Sequence, residues 1–166
     1  MKDLFGNENE SGAIFSPCGR YRYALWRVWD NSLPMVTFIG LNPSTANQDQ
    51  DDPTIRRVKA FAKDWGFGGI NMVNLFGIIS PYPEILTTDP NPVGVENDRW
   101  IKTKVEESEK VIFAWGNFKE ADERAKSVIA QIPDAFCLKR NKNGSPGHPL
   151  YIPANTILTK FMEARQ

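Results

Sequence analysis

The sequence predicts an α/β protein: a three-layer α/β/α sandwich around a central, mainly parallel four-stranded sheet, with an N-terminal edge strand or hairpin added. Three observations predict it. Apolar runs over 35–39, 70–76, 111–115 and 135–138 are continuous rather than alternating, as in strands buried on both faces. Stretches with apolar residues at three- and four-residue spacing separate them, as in amphipathic helices. The strict strand–helix order implies βαβ crossovers and a parallel sheet.

The elements follow in order. Residues 1–12 are polar and Gly-bearing, and a flexible N-terminus is expected through residue 15. Over 21–29, Tyr21, Tyr23, Leu25, Arg27 and Trp29 share one face and Arg22, Ala24, Trp26 and Val28 the other. This predicts an antiparallel edge strand. Residues 30–34 form a turn, and 35–39 the first central strand. Asp52-Pro53 reads as a helix start, with Asp at the N-cap and Pro where its missing N–H costs nothing. Ile55, Val58, Phe61, Ala62 and Trp65 then make one apolar stripe over a helix at 53–65, which ends in glycines. A second central strand at 70–76 leads to a loop with Pro81, Pro83, Pro90 and Pro92. A helix at 97–109 points Trp100, Ile101 and Val105 inward, and a third strand at 111–115 stops at Gly116. A helix at 118–131, a short strand at 135–138, a Pro- and Gly-bearing loop at 139–153 and a closing helix at 155–164 complete the chain. Residues 16–166 are thus expected to form a single α/β domain.

Composition bounds the function. Hydrophobic residues make up 41% and charged residues 24%, ordinary for a globular protein. Lys+Arg and Asp+Glu both number 20, which argues against strong sequence-blind DNA binding. Cys18 and Cys137 are far apart and are expected to be reduced thiols. The N-terminal residues lack a signal-peptide core, and no apolar run approaches the ~20 residues of a membrane span, so a cytoplasmic protein without membrane contact is expected. One histidine and two separated cysteines argue against zinc, and no P-loop, GxGxxG, HExxH or GxSxG pattern occurs. Neither metal nor cofactor is therefore expected.

Three polar segments fall just after predicted strand ends, where open α/β sheets bind ligands. Gly40-Leu41-Asn42-Pro43-Ser44 follows the first strand, and Pro43 holds Asn42 extended. Asn74 interrupts an otherwise apolar strand and needs partners if buried; an amide can also meet a donor–acceptor pair on a base edge. His148 lies between prolines and glycines that stiffen its loop. Asp49, Asp51 and Asp52 are candidate bases, Asp52 also being the helix cap. Arg56 and Arg57 sit in a first helical turn, against the dipole, which points to a nearby anion. Lys139, Arg140 and Lys142 form a small basic cluster, and Trp115 ends a strand as core or cleft wall.

Gly40-Leu41-Asn42-Pro43-Ser44-Thr45-Ala46, Asp52-Pro53-Thr54, Val73-Asn74-Leu75-Phe76, Glu96-Asn97-Asp98 and Ala114-Trp115-Gly116 together resemble a bacterial and phage family, domain of unknown function 1643. That pattern in turn resembles the uracil-DNA glycosylase superfamily. The resemblance implies a role for Asn42 near an attacking water, for Asn74 in reading a base, and for His148 in stabilising the leaving base. It leaves the aromatic that stacks on the base open among Phe76, Phe67 and Tyr82. The candidate set is then Asn42 and His148 as catalytic residues, with Gly40, Leu41, Pro43, Ser44, Asn74, Phe76, Arg56 and Trp115 binding substrate. The implied function is a glycosylase-like hydrolase acting on a nucleobase in DNA or on a nucleotide. The alternative is a non-catalytic nucleic-acid or nucleotide-binding module on the same fold.

Overall fold

The computed structural model describes residues 10–162, so the expectation for residues 1–9 lies outside it. Strands β1 (Glu10–Phe15) and β2 (Arg22–Val28) form an antiparallel hairpin. Strands β3 (Met35–Gly40), β4 (Gly69–Asn74), β5 (Lys110–Phe113) and β6 (Phe136–Cys137) run parallel to one another. Strand β7 (Thr159–Lys160) returns antiparallel to β6. The sheet is mixed and seven-stranded, in the order β1-β2-β4-β3-β5-β6-β7.

Two expectations are corrected at the margins of this sheet. The stretch read as flexible through residue 15 contains β1, and β1 takes the edge position expected of the next strand; β2 lies between β1 and β4. Its pairing rests on close backbone approach, which the sequence pattern hides: a Cβ at Gly12 would fall 2.3 Å from the Trp26 ring. The closing helix at 155–164 is absent over its described part, where β7 forms instead. Ile157, Leu158, Phe161 and Met162 mimic helical spacing, yet Ile157 and Met162 are exposed and only Phe161 is sealed in the core.

Helix α1 (Pro53–Asp64) starts at its Asp52 cap, whose Oδ1 accepts the Ile55 N–H at 2.9 Å. The Pro-rich loop holds a single turn, α2 (Ile85–Thr88). Helices α3 (Asn97–Glu106) and α4 (Asp122–Gln131) follow, the latter after a 3-10 turn at Lys119–Ala121. None of the described helices is long and apolar enough to cross a membrane.

The helices cover both sheet faces because the strands alternate. Val36, Phe38, Ile70, Met72 and Ile112 pack with Ile55, Val58, Phe61 and Ala62 of α1. Ile39, Val73, Val111 and Phe113 pack with Ile101 of α3 and Ala125 and Val128 of α4. Phe38, Phe61 and Phe113 are fully buried, each contributing ~1.5–3 kcal/mol of burial free energy. The parallel strands therefore end together along one edge.

Candidate functional site

That edge opens into a cavity of about 190 Å³. It is smaller than the roughly 300–1,000 Å³ of drug-sized sites. β3 ends in Gly40 and the loop after it supplies Leu41 to Ser44, β4 ends in Asn74, Ala114 follows β5, and His148 comes from the loop after β6. Arg22 opens β2, and the first turn of α1 adds Asp52, Thr54 and Ile55.

Strand register brings the two amides together. Gly40 pairs with Asn74, the Leu75 N–H donates to Gly40 O at 2.9 Å, and the Phe76 N–H to Leu41 O at 3.0 Å. A Cβ at Gly40 would stand 2.7 Å from Asn74 Oδ1, so glycine makes room for this side chain. Asn74 is 2% exposed, and its buried Nδ2 has no partner among the described residues. The Asn42 Nδ2 donates to Pro43 O at 3.3 Å, Ile78 O at 3.2 Å and Ser80 O at 3.0 Å. With Nδ2 engaged, Oδ1 is left as an acceptor.

His148 caps the 3-10 turn Pro149–Tyr151 by accepting the Leu150 N–H on Nδ1 at 3.2 Å. This bond needs an unprotonated Nδ1 and places the imidazole proton on Nε2. Burial holds the His148 imidazole below its ordinary value, against the opposing pull of the Asp52 carboxylate. The ring is therefore neutral at pH 7, with one donor. Gly116, at φ +78°, lets the chain pass beneath it; a Cβ there would lie 3.2 Å from His148 Cβ.

Seven of the ten residues expected at the site line this cavity: Gly40, Leu41, Asn42, Pro43, Ser44, Asn74 and His148. Three do not. Trp115 shares the strand parity of Phe113 and packs against it in the α3/α4 core, with ring centroids 4.7 Å apart. Phe76 is sealed in the same core. Arg56 is exposed, and its Nη1 donates to Asp51 O at 3.2 Å. Arg57 donates to Ile152 O and lies over the Phe61 ring. Arg140 is held by Gly144 O and Phe161 O, so the basic cluster beside His148 is partly structural. The residue that sequence reasoning missed is Arg22. Its signal is a charged side chain at the start of a strand rich in aromatic and aliphatic residues, a signal it shares with Arg27.

Residues 22–150 match the family described as Protein of unknown function (DUF1643). The chain belongs to this family. No curated protein matches it, and no solved structure does. In this DUF1643 protein the matched span runs from Arg22 to Leu150, so it includes every residue that lines the cavity.

Proposed function

We propose that the cavity hydrolyses an N-glycosidic bond, holding a nucleobase of DNA or of a nucleotide. One observation carries the reading: Asn42, Asn74 and His148, distant in sequence, line one small cavity, and each keeps a polar atom that no described residue engages. Bond cleavage places positive charge on the sugar and negative charge on the departing base. The His148 Nε2–H suits a base oxygen as that charge develops, and a donor already in place needs no reorganisation. The Asn42 acceptor suits a water held toward the sugar carbon. The water oxygen bonds to that carbon as the carbon–nitrogen bond breaks with its electron pair going to the base. The proton the water loses is taken up by the departing base, so the products are the sugar hydroxyl and the neutral free base. Asn74 suits the edge of the base.

The test is release of free base, followed by mass spectrometry, from a panel of base-modified duplexes, single strands and nucleotides. The wild type releases base from at least one member. Asn42→Ala and His148→Ala lower the rate by about a hundredfold or more while the far-UV circular dichroism of the folded chain is kept, even though each variant loses a structural hydrogen bond and some thermal stability. Absence of release across the panel sinks the proposal. A second reading, a binding module, is favoured by Asn42 itself, since an amide orients water but takes no proton. Saturable binding with chemically unchanged ligand selects it.

A further inference from the structure

Strand β2 carries two buried arginines with opposite hydrogen bonding. Arg27 is fully engaged: Nε donates to Asp51 Oδ1 at 2.8 Å, Nη1 to Trp26 O at 2.9 Å, and Nη2 to Asn47 O at 2.5 Å and Gln50 O at 3.1 Å. Arg22 is 3% exposed, and among the described residues it donates only from Nη1, to Ala46 O at 3.0 Å. No described residue engages its buried Nε or its Nη2. Buried donors without acceptors are costly, so a guanidinium left this way on a cavity wall points to a ligand.

Asp52 lines the same cavity, with Oδ1 tied to the cap of α1 and Oδ2 engaged by no described residue. The two side chains attract each other but do not close into an ion pair. Burial lowers Arg22 to about 10, with Asp52 opposing that and Arg27 adding to it, so the guanidinium stays charged at neutral pH. Arg22, Asp52 and neutral His148 bring the lining close to zero charge. An anion placed here meets the Asp52 carboxylate. A neutral ligand with an acceptor for Arg22 and a donor for Asp52 does not.

We propose that Arg22 and Asp52 are the specificity pair of this cavity and select an oxo-base, with the exocyclic oxygen toward Arg22 and the adjacent ring N–H toward Asp52. This rests on the nucleobase reading above. A carbonyl oxygen has two lone pairs for the donors of Arg22, where a ring nitrogen has one. An exocyclic amine facing Arg22 sets donor against donor, and such mismatches are strongly rejected. Asp52 is acceptor-only and takes the ring N–H.

The test uses free bases, which have no glycosidic bond, so its outcome is independent of hydrolysis. Binding of hypoxanthine, adenine, 1-methyluracil and 1-methylcytosine to the full chain is followed by the His148 ring NMR signals. Hypoxanthine binds about tenfold or more tighter than adenine, and 1-methyluracil likewise over 1-methylcytosine, whose blocked N1 leaves no ring N–H beside its carbonyl. Arg22→Gln, whose carbonyl can accept from an amine, erases the preference. Asp52→Asn keeps the helix cap but offers both a donor and an acceptor, and narrows the preference to about twofold. Arg22→Lys keeps the charge and serves as the second variant should Arg22→Gln melt early. Equal or reversed preference overturns the proposal, as does a lack of any base-induced shift. Displacement of the base by millimolar inorganic phosphate also overturns it, since Arg22 would then hold an anion.

Discussion

His148 owes its chemistry to one backbone bond. The Leu150 N–H fixes Nδ1 as an acceptor, and burial keeps the ring neutral. Because the folded pKa lies below the ordinary ~6.5 of an unfolded histidine, the unfolded chain binds the proton first as pH falls. The stability that His148 contributes is thus complete above that ordinary value and is lost as pH drops toward the lower folded value. Melting curves between pH 7.5 and 5 are expected to fall more steeply for the wild type than for His148→Gln, which does not titrate; parallel curves contradict this. At this scale the sequence showed residue types better than directions. Asn42, Asn74 and His148 were legible as polar side chains at strand ends. Trp115 was misplaced because the face of the sheet, and not proximity to a strand end, decides its direction: Ala114 meets the cavity and Trp115 turns into the core. Arg22 was in view, but the described residue it donates to, Ala46, lies 24 residues away, and no local pattern encodes that contact.

Helix α1 joins fold to site through its cap. Asp52 accepts the Ile55 N–H while lining the cavity, so one carboxylate both starts the helix and charges the wall. Asp52→Ala leaves that N–H without its partner and costs ~1 kcal/mol, whereas Asp52→Asn, an equally good cap, changes stability by a few tenths. Urea denaturation of the two variants separates the roles; an equal loss in both places the stabilisation in the charge. This element was legible because its signals are local: a cap, a proline at the first turn, an apolar stripe and a terminal glycine. The chain ends were not. β1 and β7 exist through strands they pair with, and β7 pairs with only two residues of β6, Phe136 and Cys137. The helical spacing of 157–162 loses to that pairing and to burial of Phe161, whose N–H donates to Ala135 O at 2.9 Å.

At the scale of the molecule, charge decides what kind of ligand the site can hold. Lys+Arg and Asp+Glu both number 20, and the cavity sets Arg22 against Asp52. A protein that grips a polymer through six to ten phosphates loses about 10³–10⁵-fold in affinity between about 50 and 200 mM salt, because each contact releases counterions. A neutral base held among Arg22, Asp52, Asn42, Asn74 and His148 releases none. Its affinity is expected to change by less than about twofold over the same range, since the charges that matter are buried and weakly screened. Titrations of uracil or hypoxanthine at both salt levels measure this directly, and a DNA strand carrying the same base gives the contrast. A shallow slope for both ligands places recognition inside the cavity. A steep slope for the strand alone adds a phosphate contact outside it, where Arg56 and Lys63 of the flanking α1 and Lys139 and Lys142 of the loop that carries His148 are exposed cations.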